Sequence, residues 1–269
     1  MLKLYDDLSS KYVLVAVFGG LLFMFLVLFS TESVIISFLF YSLFVFVDAI
    51  YFNIQANKRV NKINNYFDNC DAKTYTECYE KLFIKCKKDK RLETTVRISL
   101  STGYISLGKN KEALDLLYNS CPIFKNNRIG IKNKTIYLNN LIVIYRNLKK
   151  YEEAYAKLNE LELLMNNSNI DSEQKDFLEK IYLNNKISLD IDKKPNKENL
   201  TYAKNYFNDK LKISKSKVET VNFNYKLAYI SEKLKNKKET LEYLNFVTEN
   251  GGSLYIVNDA KKRIKELNN

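Results

Sequence analysis

A long apolar stretch near the N-terminus, YVLVAVFGGLLFMFLVLFSTESVIISFLFYSLFVFVDAIYFNI over residues 12–54, decides the fold. Residues 12–29 contain eighteen residues without a charge, and a helix of that length crosses roughly 27 Å of hydrocarbon at about 1.5 Å per residue. Residues 34–52 add nineteen more, with Asp48 as the single charge. Because backbone groups in lipid must be satisfied internally, both runs are predicted to be helices. The polar residues 30–33 between them predict a tight transmembrane hairpin.

Basic residues near the ends of the hairpin predict its orientation. Lys3 and Lys11 precede the first span, Lys58, Arg59 and Lys62 follow the second, and the turn contains none. Since cytoplasmic flanks carry an excess of Lys and Arg, both termini are predicted to be cytoplasmic. The three residues after the second span are expected to lie against anionic lipid head groups, where each contributes on the order of 1 kcal/mol. The sequence therefore predicts a two-span cell-membrane protein, and its richness in Lys, Asn, Ile and Tyr is typical of an AT-rich bacterial genome.

Two alternatives for the apolar stretch follow from its position and its one acid. A secretory signal peptide also follows a positive charge near the N-terminus, but its apolar region would be about 7–15 residues long and would end in small residues. Asp48 is a candidate functional acid, because a charge at mid-bilayer costs at least about 3 kcal/mol. It lies four residues before Phe52, near the cytoplasmic end of the span. We therefore expect its carboxylate to reach towards the head groups.

The rest of the chain is polar and basic. Of the 43 Lys and Arg and 31 Asp and Glu residues, 41 and 27 follow residue 54, which gives that part a net charge of +14. Two prolines and seven glycines in 269 residues leave few helix breakers. This composition favours long helices over a β-sandwich or barrel. The predicted fold class is all-α.

The residue types argue against an enzyme, a metal site or a bound cofactor. There is no histidine, so the commonest nucleophile–base triads cannot be built, and no Gly-rich phosphate loop occurs. The four cysteines show no C-x-x-C spacing and are expected to be reduced thiols; they are Cys70, Cys78, Cys86 and Cys121. A nucleic-acid function is an alternative, since abundant tyrosine and a basic charge can stack bases and bind phosphates. The lysines, however, are scattered among acids rather than gathered into one stripe.

The chain beyond the hairpin repeats a helix–turn–helix pattern. Residues 98–120 read ISLSTGYISLGKNKEALDLLYNS, and residues 137–161 read YLNNLIVIYRNLKKYEEAYAKLNEL. Each is predicted to form a helix, a turn of about four residues and a second helix that opens on Glu-Ala. A third copy, YKLAYISEKLKNKKETLEYLNFV, occupies residues 225–247. Residues 172–213 are predicted to form a degenerate copy with a lengthened turn around Pro195.

This pattern resembles the tetratricopeptide repeat, a 34-residue helix–turn–helix unit with apolar, small and aromatic positions. A small residue lets two helices approach closely while large apolar residues fill the groove between units. The matching residues are Leu100, Ser101, Tyr104, Gly108, Ala113, Leu117 and Ser120 in the first copy, Leu138, Leu141, Tyr145, Tyr151, Ala154, Leu158 and Leu161 in the second, and Leu227, Ala228, Leu234, Thr240, Leu244 and Val247 in the third. The resemblance implies an α-solenoid.

The resemblance also implies a binding surface. In that family, the first helices of successive units line a concave groove that takes an extended peptide or a partner helix. Aligning the copies places nine residues on this wall: Ile98, Thr102, Ile105, Asn139, Val143, Arg146, Tyr225, Tyr229 and Glu232. The residues predicted to bind the partner are Thr102, Asn139, Val143, Arg146, Tyr225 and Tyr229. Asn139 and Arg146 are the expected polar anchors for a ligand backbone or carboxylate.

The sequence thus predicts three parts and two candidate functions. The parts are a membrane hairpin over 1–54, a helical juxtamembrane segment over 55–93 with helices at 57–68 and 74–87, and a tetratricopeptide-like domain over 94–269 that ends in a capping helix at 254–267. The first candidate function is a membrane-anchored scaffold or adaptor that binds a protein or peptide partner at the cytoplasmic face. The alternative is a membrane-tethered receptor for a small signalling peptide.

Overall fold

The protein is described from a computed structural model, which covers residues 6–86, 90–118, 130–166 and 170–269. All regular secondary structure in these ranges is helical. The chain divides into two compact units, the hairpin unit Met1–Asn65 and the helical unit Tyr66–Asn269. Four residues that carried sequence predictions lie outside the described ranges: Lys3, Lys87, Ser120 and Cys121.

The hairpin unit consists of two long helical segments. The first is continuous from α1 (Asp6–Leu14) through a π-helical turn (Val15–Gly19) into α2 (Gly20–Thr31), and α3 covers Val34–Asp68. Glu32 ends the first segment because its left-handed backbone, with φ 54°, reverses the chain. The segments Ser10–Thr31 and Val34–Asp68 are both long and apolar enough to cross a membrane. The prediction of an all-helical protein with two apolar N-terminal helices is confirmed for the described residues.

Close contacts pair the two segments. A Cβ atom on Gly20 would lie 2.7 Å from the ring of Tyr41, so only glycine fits between these helices. The ring centroids of Phe23 and Phe44 are 5.6 Å apart. Outward-facing side chains are largely apolar and exposed, as with Phe29, which is 85% exposed, and such a surface suits a lipid environment.

Asp48, the one charged residue of the second span, is half-buried in the hairpin unit. Its Oδ2 atom is buried and has no hydrogen-bond partner among the described residues. The reach of its carboxylate towards the head groups stays a prediction.

The helical unit contains the end of α3 and ten further helices within the described ranges. These are α4 (Ala72–Lys85), α5 (Lys90–Ser106), α6 (Asn110–Tyr118), α7 (Ile131–Asn147), α8 (Tyr151–Met165), α9 (Ser172–Lys193), α10 (Lys197–Lys212), α11 (Lys217–Lys233), α12 (Lys237–Asn250) and α13 (Tyr255–Asn268). The helix expected at 57–68 is the end of α3, and α4 begins two residues before the predicted position. The degenerate copy forms α9 and α10, and its turn is the short segment 194–196 because α9 continues to Lys193.

Polar residues cap the N-termini of five of these helices. In each case a side-chain oxygen accepts the backbone N–H three residues later, which satisfies a donor that the first turn leaves unpaired. The capping residues are Asp71, Asp171, Asn196, Ser216 and Asn236, with donor–acceptor distances of 2.8–3.3 Å.

Four helix-ending turns share one hydrogen-bond pattern. Cys70, Gly108, Lys149 and Lys235 all have a left-handed backbone, with φ between 59° and 78°. In each turn this residue donates its N–H to the carbonyl three residues earlier, and the next residue donates to the carbonyl five residues before it. This is the Schellman arrangement that ends a helix. The same turn therefore joins α3 to α4, α5 to α6, α7 to α8 and α11 to α12.

Consecutive helices pack side by side from α4 to α13. This includes α6 and α7, although the residues that link them lie outside the described ranges. The first helices α5, α7 and α9 also contact one another in that order. The small residues at equivalent positions of the copies, Ala113, Ala154, Ala203 and Thr240, are all completely buried. Their size allows the paired helices to approach closely while leucine and isoleucine fill the remaining space.

The two ends of the helical unit meet. The Ser253 backbone N–H donates to the Cys70 carbonyl oxygen at 3.0 Å, and Lys73 N–H donates to Ser253 Oγ at 3.0 Å. The side chain of Tyr255 also covers the α5–α6 turn, because a Cβ on Gly108 would lie 3.2 Å from Tyr255 Cβ. Cys70 and Ala72 share a hydrophobic cluster with residues of α11, α12 and α13. The helical unit is therefore closed on itself, with the first helices of its pairs facing an interior space.

Candidate functional site

A buried asparagine connects α7 to α5 on the interior side. The Asn140 side-chain amide donates to the Ile98 carbonyl at 3.2 Å, to Ser101 Oγ at 3.0 Å and to Thr102 Oγ1 at 2.8 Å. These contacts satisfy a polar group that would be costly to bury alone. They also fix the register of the two helices whose side chains line the interior.

A second asparagine contact connects α7 to α9. Asn185 Nδ2 donates to Asn139 Oδ1 at 2.8 Å and to the Ile181 carbonyl at 2.9 Å. The Asn139 amide nitrogen lies 3.4 Å from Asn140 Oδ1. The three asparagines therefore form a hydrogen-bonded row across α5, α7 and α9.

The first interior cavity lies beside this row and has a volume of about 350 Å³. Its lining combines apolar side chains with amides and hydroxyls, the combination typical of sites that bind small molecules or short peptides. The apolar lining residues are Phe67, Ile105, Val143, Ile181, Val218, Phe223, Leu254 and Ile256, and the polar ones include Thr102, Ser106, Asn139, Asn140, Asn184, Asn185 and Asn222.

A second cavity of about 400 Å³ adjoins the first. The two share five lining residues, Arg146, Asn147, Tyr225, Lys226 and Tyr255. The second cavity is more polar and more aromatic, and its remaining lining residues are Lys149, Tyr151, Ser188, Ile191, Asp192, Tyr229 and Arg263. The shared side chains make the two cavities one continuous candidate site, which we call the interior site.

An ion pair crosses the interior site. Arg146 Nε lies 3.2 Å from Asp192 Oδ2, and the Tyr229 hydroxyl donates to the same carboxylate. Burial raises the pKa of Asp192 above its ordinary value, although Arg146 and Lys226 oppose that effect. The pair therefore joins α7, α9 and α11 at the point where the two cavities meet.

Lys226 has an unusual environment in the interior site. Its Nζ lies 4.5 Å from the centroid of the Phe207 ring. Burial and the nearby Arg146 charge lower the pKa of Lys226 from 10.5 to about 7, and Asp192 opposes this only in part. Its Nζ donates no hydrogen bond to any residue that the structure describes. The Lys226 amine therefore loses its proton more readily than the amine of an exposed lysine.

The far edge of the second cavity is fixed by contacts between α11 and α13. The Tyr225 hydroxyl donates to Asp259 Oδ2 at 2.6 Å. Arg263 forms an ion pair with Glu232, and its guanidinium carbon lies 5.6 Å from the Tyr225 ring centroid. Tyr225 on α11 therefore has a partner on α13, and Arg263 on α13 has a partner on α11, before any ligand binds.

A comparison with protein-family models, curated proteins and solved structures found no match to this chain. The candidate site therefore stands on its geometry. No group of three or more Cys, Asp or Glu residues able to hold a metal ion occurs within the described ranges. Cys70 and Cys86 are buried, and Cys78 is half-buried.

The six predicted partner-binding residues all line the interior site. Thr102, Asn139 and Val143 line the first cavity, and Tyr229 lines the second. Arg146 and Tyr225 belong to both. The three predicted membrane-surface residues, Lys58, Arg59 and Lys62, are exposed on α3 of the hairpin unit.

Two other residues assigned to the concave wall do not line the interior. Ile98 is only 1% exposed and belongs to the hydrophobic core, because its side of α5 packs against α6 and α7. Glu232 is exposed and binds Arg263 instead. Their assignment to the wall was wrong because each lies seven residues, about two helical turns, from the lining residue on the same face, Ile105 or Tyr225. At those levels Ile98 is in the core and Glu232 is paired with Arg263.

Sequence reasoning missed the charged centre of the site. Lys226 and Asp192 stand among many charged helix residues that point to solvent, so nothing in their local pattern separates them. Asn140 and Asn185 carried a usable signal: on a predicted first helix, both have apolar residues three or four positions before and after them. A polar residue on the packed face of a helix indicates a buried hydrogen bond or a binding site.

Proposed function

We propose that the chain is a membrane-anchored receptor of tetratricopeptide-like architecture that binds a short, extended peptide in the interior site. The supporting observation is that all six residues predicted from the sequence to bind a partner line two adjoining cavities of about 350 and 400 Å³. Amide side chains along the first cavity suit the backbone N–H and C=O groups of an extended peptide. The apolar residues opposite them would hold its side chains.

Contacts between helix pairs support the tetratricopeptide-like architecture. Several bonds join residues 34 or 35 positions apart, close to one 34-residue repeat. The Tyr155 hydroxyl donates to Asp190, Lys204 binds Glu239 and the Tyr225 hydroxyl donates to Asp259. The four identical helix-ending turns add to this regularity. We therefore propose that α5 to α12 are successive copies of one stacked helix pair.

The lining of the interior site favours an extended peptide over a partner helix. A helix pairs its own backbone N–H and C=O groups, so it would leave the amide side chains of the first cavity unused. An extended peptide offers free backbone groups to those amides. The scaffold function proposed from the sequence is accordingly narrowed to recognition of one short segment.

The peptide-binding proposal is tested on the full-length chain in detergent micelles by affinity selection from a pool of random hexapeptides. Peptides retained by the native chain should bind the Asn139→Ala, Arg146→Ala double variant at least about tenfold more weakly, because hydrogen bonds to charged groups contribute about 1.5–3 kcal/mol. The matched control is Asn205→Ala with Lys261→Ala, which removes one amide and one cation from exposed positions. Equal binding by both double variants, or no retained peptide, would contradict the proposal.

We also propose that both termini of the hairpin face the cytoplasm, supported by the exposed Lys58, Arg59 and Lys62 after the second span and by the lack of Lys and Arg in the turn at residues 30–33. In bacterial spheroplasts, a membrane-impermeant maleimide should label a Glu32→Cys chain and leave the parent chain unlabelled. Labelling of the native cysteines should require permeabilisation. Labelling of the parent chain in intact spheroplasts would reverse the orientation.

A further inference from the structure

The second cavity contains more basic than acidic groups. Four basic side chains line it, namely Arg146, Lys149, Lys226 and Arg263, against the single carboxylate of Asp192. Arg146 is paired with Asp192 and Arg263 with Glu232, while Lys149 is exposed. Lys226 remains as the inward basic group to which no described carboxylate is hydrogen-bonded.

The surroundings of Lys226 suit a carboxylate supplied from outside. Lys226 lines both cavities, and the Phe207 ring lies 4.5 Å from its Nζ. A cation in a site of this kind is costly unless it is paired. Arg146 stands nearby, with its Nε 3.2 Å from Asp192 Oδ2. A ligand carboxylate at this position could accept from both cations, and such charge-assisted bonds are strong.

We propose that the interior site selects peptides carrying an acidic side chain, whose carboxylate binds Lys226 and Arg146. This inference rests on the proposed peptide-binding function and specifies its ligand class. The acidic residue would occupy the junction of the two cavities. The remainder of the peptide would lie along the asparagine row of the first cavity.

Binding should take up a proton above neutral pH. A ligand carboxylate favours the charged form of Lys226, whose pKa in the unliganded chain is lowered to about 7 by burial and Arg146. Below about pH 7 the Lys226 amine is already charged. Above that pH the amine must take up a proton when the ligand carboxylate binds. The affinity should therefore fall by up to about tenfold per pH unit above about pH 7. The titratable or charged groups lining the two cavities around Lys226 are Arg146, Lys149, Tyr151, Asp192, Glu219, Tyr225, Tyr229, Tyr255 and Arg263.

The test uses two pools of tetrapeptides, acetylated and C-terminally amidated, that differ only in carrying Asp or Glu in one pool and Asn or Gln in the other. At pH 6 the native full-length chain should prefer the acidic pool at least about tenfold, and the preference should decrease towards pH 8.5. Lys226→Met should bind both pools within about twofold of each other. Lys226→Arg should keep the preference without its pH dependence, because arginine stays charged. Lys261→Met, at an exposed position of α13, should behave as the native chain does.

Folding of the variants is checked by thermal unfolding. The folded-state pKa of Lys226 is lower than its value of 10.5 in an unfolded chain, so the unfolded state binds more protons between those values and stability rises with pH there. Lys226→Met should therefore melt at a higher temperature than the native chain at pH 6, and the difference should shrink as the pH rises from about 7 and disappear only above 10.5.

Three outcomes overturn the assignment of an acidic-side-chain site. Equal binding of both amidated pools by the native chain would overturn this assignment but would leave the proposed peptide-binding function standing. If Lys226→Met kept the preference for the acidic pool, the ligand carboxylate would bind at a position other than Lys226. Binding only of peptides with a free C-terminal carboxylate would show that the site recognises the C-terminus of the peptide and not an acidic side chain. If neither amidated nor free peptides bind, the proposed function itself fails.

Discussion

Replacing Gly252 by alanine should open the helical unit. Gly252 has φ +53°, and a Cβ at this position would lie 2.6 Å from the Cys70 carbonyl oxygen. That oxygen is fixed because Ser253 donates its N–H to it at 3.0 Å. The left-handed backbone and the clash together should lower the free energy of unfolding by about 2–4 kcal/mol. Chemical denaturation of the full-length chain, followed by circular dichroism, measures this change.

Gly252→Ala should also impair ligand binding. Leu254, Tyr255 and Ile256 follow the turn directly and line the first cavity opposite Phe67. Gly130→Ala is the matched control, because nothing lies within 4 Å of a Cβ there and its φ is −61°. Its cost should stay within about 1 kcal/mol. If the two variants were equally stable and bound peptide equally, contact between the ends would not hold the helical unit closed.

Removing the Phe207 ring should have the largest effect on stability. Phe207 is fully buried among Ile187, Leu200, Phe223, Leu227 and Ile230. Truncation to alanine leaves a cavity that the surrounding helices cannot fill, and such changes cost about 3–5 kcal/mol. Thermal unfolding of Phe207→Ala and native chains in the same detergent gives the comparison.

Two further substitutions on α10 separate packing from other effects of Phe207→Ala. Phe207→Leu keeps most of the apolar volume and should cost about 1–1.5 kcal/mol, while it removes the aromatic ring 4.5 Å from Lys226. Tyr202→Ala on the same helix changes a side chain that is 61% exposed, and its effect should stay within about 0.5 kcal/mol. A Phe207→Ala chain as stable as Tyr202→Ala would show that this cluster does not hold α9, α10 and α11 together.

Local patterns were sufficient to predict the helices. An uninterrupted apolar run gives a helix in any apolar environment, so the hairpin could be located from residues 12–54 alone. Repeated apolar spacing similarly located α7, α8, α11 and α12, although α7 begins six residues and α11 eight residues before the predicted copies at 137 and 225. These features depend only on residues that are close together in the chain, so they can be recognised in a single sequence.

Contacts between distant residues could not be predicted in the same way. Three of the four Schellman turns place Cys70, Lys149 or Lys235 in a left-handed backbone, where glycine is the usual signal. The turn between α3 and α4 was accordingly not recognised as equivalent to the later ones. The closure between Cys70 and Ser253 joins residues 183 positions apart, and no periodicity indicates it.

End-to-end contact also limits how this architecture can change by duplication. An open stack of repeats gains or loses a copy without disturbing the others, because each copy touches only its neighbours. Here the Ser253–Cys70 hydrogen bonds require a fixed number of helix pairs between them. An inserted pair would draw the two ends apart and enlarge the enclosed space. Chains that diverge from this one should therefore replace inward-facing side chains and keep the same number of helix pairs.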